Sequence, residues 1–215
     1  ICTNAIKSFP KSLGANQCIA LKASIEFKAL NFTTEDSYAP NSNGKMLISY
    51  TNIKKLYFKK VKVSWGYYMN QELRGVKHIE DLLKKPLVAE WTQELENPGD
   101  FQNHSTEILI EPKDFGQYVI LASYNKDFRL DSNAIATGSY WSTNLSYTYR
   151  RNKNQTVDVI VTDRETGKPI KDVKGTVYIQ KYNYSTRNDR LIKKESYRTD
   201  EFGMFTVRSQ SDYRY

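Results

Sequence analysis

Apolar residues in this chain recur mostly at every second position, the period of a strand with one buried face. Val157, Val159 and Val161 alternate with Asp158, Ile160 and Thr162. The run breaks at Thr166, Gly167, Lys168 and Pro169, where Gly tolerates positive φ and Pro fixes its own, so a rigid turn between two extended segments is predicted. Val173, Val177 and Ile179 then resume on one side, and a further turn at residues 200–203 leads into a strand through Phe205 and Val207. Upstream, Ile25 and Phe27 open the series, a turn covers residues 41–44, and Met46, Ile48 and Tyr50 share one face. Ile108 and Ile110, then Tyr118, Ile120 and Ala122, read as a strand pair across residues 112–116. Leu56 and Phe58 keep one phase and Val61, Val63 and Trp65 the other, so a bulge or two short strands are expected at Lys59 and Lys60. Only Ile79, Leu82 and Leu83, ahead of Pro86, show helical spacing, with Trp91 and Leu95 expected to pack beneath them.

Short strands between polar turns are the material of β-sandwiches, and 215 residues hold one large sandwich or two of about 100 residues each. The charged run at residues 150–155 and the phase break before Val157 put a boundary between positions 140 and 156. The expected organisation is an N-terminal segment, 1–23, perceived as the end of a preceding domain, a sandwich at 24–143 and a second at 144–215. The second is short of strands unless residues 145–149 and 191–197 supply more, with residues 183–190 as a polar hairpin tip. Sixteen Tyr and nine Phe favour strands. No apolar run approaches the roughly 18 to 20 residues that cross a bilayer as a helix. A chain that opens on Ile1 is expected to be an expressed or processed piece from which an export signal has been removed.

Three of these segments, in this order, resemble the macroglobulin-like domains of the alpha-2-macroglobulin family, particularly its large bacterial members. Residues 48–64 resemble the family's second strand, connection and third strand, residues 107–123 its Gly-x-Tyr strand pair, and residues 163–179 its repeated Thr-Gly-Lys-Pro strand pair. The likeness runs from about residue 24 to residue 215 and implies an all-β chain of tandem immunoglobulin/fibronectin-like β-sandwich domains. It further implies an exported structural part of a broad-spectrum protease inhibitor, in the bacterial periplasm, outer membrane or cell surface. Adjacent domains of a longer chain would be its partners, with proteases met through the whole protein and any membrane attachment made by a segment outside this one. Thr166 to Pro169, and Gly116 with Tyr118, carry over as turn and strand-start residues. The family's thioester motif, Cys-x-Glu-Gln, is matched neither at Cys2-Thr3-Asn4 nor at Cys18-Ile19-Ala20, and no bait segment is located. The rival expectation is a cell-surface adhesin or carbohydrate-binding sandwich, whose exposed aromatics would stack on sugars.

Charge and chemistry narrow this little. The net charge is +8, with Lys54, Lys55, Lys59, Lys60 and Lys62 forming a candidate basic surface. They are expected to be solvated edge-strand lysines that block edge pairing, with an acidic polymer or anionic surface as the alternative. A nucleic-acid reading needs a groove with aromatic platforms or a recognition helix, and neither is indicated. Cys2 and Cys18 are either bridged, which would add about 3 kcal/mol, or two separate thiols. With no histidine near them no tetrahedral metal site is expected. His78 is expected at a helix start and His104 in an exposed polar loop, neither beside a nucleophile it would activate. No catalytic, cofactor-binding or metal-binding residue is assigned.

Overall fold

The computed structural model describes residues 1–40, 42–67, 75–111, 114–131, 133–183 and 188–208. Asn41, where the first turn is expected to begin, and the hairpin-tip residues 184–187 lie outside them. The chain opens with α1 (Cys2–Ser8) and α2 (Leu13–Ile25). The Ser12 hydroxyl accepts from the Ala15 amide at 3.1 Å and caps α2. Ile25 therefore ends a helix instead of opening a sandwich, and the first strand starts at Ala29. Only Ala15 is buried in the two helices, so they present no apolar stripe to read.

Two sheets follow. The first holds β1 (Ala29–Thr34), β3 (Gly44–Thr51) and β6 (Asn103–Ile110), in the order β1-β3-β6. The second holds β2 (Ser37–Tyr38), β4 (Lys55–Val63), β5 (Leu87–Glu94), β7 (Gly116–Ser123) and β8 (Ile135–Ser142), in the order β2-β8-β7-β4-β5. Met46, Ile48 and Tyr50 of β3 point inward as their alternation predicts, onto Leu56, Phe58, Tyr118, Ile120 and Tyr140 of the other sheet. Between the elements of residues 103–123 the expectation fails. β6 and β7 lie in different sheets and are not a hairpin. One flank is stitched: the Thr34 hydroxyl donates to the Ser139 carbonyl at 3.0 Å, and the Trp141 and Thr143 amides donate to the Asp36 and Tyr38 carbonyls, each at 2.9 Å.

The outer face of the second sheet is covered too, by α3 (Gly75–Leu83). Leu82, Ile79 and Leu83 pack on Val61, Val63, Val119, Leu121 and Phe128. This explains the phase change in β4. The strand keeps an unbroken register with β7 from Tyr57 to Val63; its first half buries Leu56 and Phe58 toward β3, and its second buries Val61 and Val63 toward α3. A register shift does occur opposite Lys60 and Val61, but on β5, where Val88 is the extra residue. Trp91 and Leu95 pack in the core with Phe58 and not beneath the helix, because β5 turns those side chains to the opposite face.

The rest of the chain makes β9 (Leu145–Arg151), β10 (Thr156–Asp163), β11 (Lys174–Asn183), β12 (Asn188–Arg198) and β13 (Met204–Arg208). They form a three-stranded sheet, β13-β10-β9, and a β11-β12 ribbon. Residues 145–151 and 188–198 thus supply the strands that a simple count lacks. Val177 falls at the irregularity between Thr176 and Tyr178, so it does not simply continue the face of Val173. The 163–168 turn sends the chain from one sheet to the other. Asp163 accepts from the Thr166 amide and hydroxyl, each at 2.8 Å, and Gly167 adopts φ 68°. Gly203, at φ 69°, is tighter: a Cβ there would lie 2.4 Å from the Val161 carbonyl oxygen.

Two expectations follow. Gly167→Val should cost about 1–3 kcal/mol through backbone strain alone, since open space surrounds the position. Gly203→Ala should cost more than Gly167→Ala, because a backbone carbonyl must also move; equal urea midpoints for the two alanine variants would remove that distinction. The second concerns α3. Burial lowers the His78 pKa despite the neighbouring Asp81, and Asp81 is itself held below the usual carboxylate range by the Tyr67 hydroxyl, then by Lys85. Both groups bind protons more readily when unfolded. Their contribution is complete above the unfolded values, about 6.5 for the imidazole and about 3.9 for the carboxylate, and is lost as pH falls through the folded ones. Protection factors of α3 amides should therefore drop between pH 7 and pH 5, and His78→Phe should flatten that step.

Candidate functional site

The five lysines do not assemble into a surface. β4 lies between β7 and β5, so it is an interior strand and its lysines guard no edge. Lys54 is exposed before the strand, and Lys55 pairs with Glu94 at 2.7 Å. Lys59 lies 4.7 Å from the Phe128 ring centre on the α3 face, while Lys62 lies 5.5 Å from the Tyr118 ring centre on the opposite face. Lys60 is only 7% exposed, and its amine donates to the Glu111 carbonyl at 2.8 Å. Strand alternation divides adjacent lysines between two faces, and both faces are covered by other elements.

The acid–base groups are engaged structurally. His104 lies in β6, not in a loop; its Nε2 is 2.9 Å from Asp100 and its ring faces Tyr50. Asp100 is held below the carboxylate range chiefly by the Gln102 amide, then by His104. Asp158 accepts from Asn152, Thr206 and Arg150, while Asp163 is occupied by its turn, and hydrogen bonding holds both low. Among the described residues no three His, Cys, Asp or Glu side chains converge as a metal site. Cys2 and Cys18 are free thiols on the two packed helices, and a hydrogen bond with Cys2 raises the Cys18 pKa. Deep burial likewise raises the Tyr140 hydroxyl, which stays protonated.

The carried-over turn residues have defined places. Gly116 opens β7 opposite Ser142 with φ 146°, and Tyr118 is buried, stacked on Tyr140 at 5.5 Å, with its hydroxyl donating to the Asp114 carbonyl at 3.1 Å. Pro169 makes a bridge to Thr162 beside Gly167. The same turn performs a task that its sequence pattern does not announce. Arg164 donates to the Ser37 hydroxyl at 2.6 Å and carbonyl at 2.8 Å, and its own amide donates to the Asn144 carbonyl at 2.7 Å. Trp65, just past β4, rests against Tyr178 of β11 with ring centres 4.6 Å apart. One planar guanidinium and one aromatic pair thus fix the later strands against the first sandwich.

No protein-family model matches the chain, and no curated protein matches it. Among solved structures, native alpha-2-macroglobulin from Escherichia coli spanning domains MG0-NIE-MG1 matches with a TM-score of 0.59 at 13% identity, over 86% of this chain and 58% of that one. The chain spans little more than half the length of that structure. Escherichia coli alpha-2-macroglobulin activated by porcine elastase matches at TM-score 0.35 and 13% identity, over 85% of this chain and 20% of that one. Salmonella alpha-2-macroglobulin reacted with methylamine matches at TM-score 0.34 and 11% identity, over 85% and 15% respectively. The first of these likenesses carries the fold assignment: this chain has the all-β, macroglobulin-like sandwich fold of the MG0-NIE-MG1 stretch of a bacterial alpha-2-macroglobulin.

Proposed function

We propose that residues 24–143 and 144–215 are two macroglobulin-like units of an exported, alpha-2-macroglobulin-like protease inhibitor, serving as a non-enzymatic structural arm. The observation that carries this reading is the shared fold over 86% of the chain. The Arg164–Ser37 and Trp65–Tyr178 contacts support it, because an arm that sets a distance needs its units held together. Neighbouring domains of a longer chain are the direct partners, and proteases are engaged through the complete protein, in the bacterial periplasm, at the outer membrane or at the cell surface. A second reading, an adhesin or carbohydrate-binding module, draws on Tyr147 and Tyr149, which are 69% and 62% exposed on one face of β9.

The assay compares the complete gene product with these 215 residues alone, each in molar excess over several proteases acting on a protein-sized substrate. Inhibition is expected from the complete product and neither inhibition nor cleavage from the fragment. A complete product that leaves every protease untouched, yet retains a glycan that the Tyr147→Ala/Tyr149→Ala variant releases, would favour the second reading.

A further inference from the structure

The first sandwich is stitched on its β1–β8 flank and open on the other. There β5 and β6 are the last strands of their sheets, and among the described residues neither is paired beyond its inner neighbour. Two cavities of about 540 and 530 Å³ lie between them, sharing Trp91 and Leu109, and together they make one slot along both edges. β5 and β6 are eight residues each, so the slot matches an extended segment about 26 Å long. Sheet edges in natural proteins are blunted by charged side chains, above all Lys, by Pro and by bulges, and of these β5 has its two glutamates and the bulge at Val88. LVAEWTQE and NHSTEILI contain neither Lys nor Pro.

The lining has two characters. Trp91, stacked on Phe58 with centres 4.9 Å apart, forms an aromatic wall, and Val88 and Leu109 stand 48% and 59% exposed at the rim. Six carboxylate residues also line the slot: Glu90, Glu94, Glu96, Glu107, Glu111 and Asp114. Glu94 and Glu107 are paired with Lys55 and Lys45. Glu90, Glu96 and Asp114 have no ion pair among the described residues. Among the described residues Lys60 is the one lysine or arginine in the lining, and its amine donates to the Glu111 carbonyl. In a chain of net charge +8, the slot runs against the overall sign.

We propose that the slot between β5 and β6 takes up an extended segment of another protein, with apolar residues alternating with Lys or Arg, by strand addition. The segment's backbone completes an open edge, its apolar side chains cover Trp91, Val88 and Leu109, and its cations meet Glu90, Glu96 and Asp114. Period-two alternation delivers both sets at once, one to each side of the strand. This goes beyond the inhibitor reading and does not rest on it.

The probe is a fluorescein-labelled peptide of about nine alternating Val and Lys residues, with a Val/Glu twin, measured by anisotropy against the whole chain. Saturable micromolar binding of the basic peptide is expected, with the acidic twin about tenfold weaker or worse, although net charge alone would favour the acidic one. Glu90→Lys/Asp114→Lys and, separately, Leu109→Lys should each weaken binding by about tenfold at an unchanged melting temperature, while Glu165→Lys/Glu201→Lys should not. Binding of the acidic twin equal to that of the basic peptide, or indifference to the Glu90/Asp114 reversal, overturns the proposal. So does a concentration-dependent dimer that the peptide dissociates, since the slot would then belong to a second copy.

Discussion

The architecture depends on the burial of β4 and β7 from both sides at once. Val119, Ile120, Leu121 and Ala122 are consecutive and none is measurably exposed, so successive side chains on opposite faces all lie in core. Burying one such aliphatic side chain is worth about 1.5–3 kcal/mol, and here the strand that supplies them is clamped between β3 and α3. That double cover turns a strand dotted with lysines into an interior one. Lys59 and Lys60 turn their amines to an aromatic ring and a backbone carbonyl, with their methylene stems serving as packing material.

The same central pair determines where contacts to the later strands can be made. Trp65 leaves the end of β4 toward Tyr178, and Ser37, on the β2 side of the sheet, receives Arg164. These anchor points flank the β8–β7–β4 stretch, Ser37 on the β2 side and Trp65 past the end of β4. Beyond them the three-stranded sheet and the ribbon border a cavity of about 680 Å³, with Val157, Val161 and Val207 buried and Phe205 packed against Gly175.

Much of the secondary structure was legible in side-chain periodicity. Met46, Ile48 and Tyr50, the helix around Leu82 and the turn at Gly167 all fall where alternation and turn chemistry indicate. Partnership was less legible, because period two specifies a face and not a neighbour: Ile110 and Tyr118 read alike whether their strands pair or lie in opposite sheets. β4 was legible in part: the irregularity expected at Lys59 and Lys60 occurs against β5, while the pairing with β7 runs unbroken. A strand buried on both faces changes its apolar phase without slipping, and residue order alone does not distinguish the two. α1 and α2 carry no stripe, and Arg164 and Trp65 are an ordinary turn arginine and an aromatic past a strand end until the chain is folded. The slot was hidden because it is a property of two edges far apart in sequence.

The small strand β2 has a consequence for how the molecule comes into being. Ser37 and Tyr38 pair in parallel with Trp141 and Ser142, and Thr34 bonds to a carbonyl 105 positions later. A ribosome adding about 5–20 residues per second leaves the early strands waiting several seconds for β8. During that interval β1 and β3 have each other and, in turn, β4 and β7, but Phe32 of β1 still lacks Gly138 and the core still lacks Tyr140, both of β8. Synthesis is thus a vectorial problem in which the β1 flank of the first sandwich closes only after β7 is made, and the time that flank stays open is set by where β8 lies along the message.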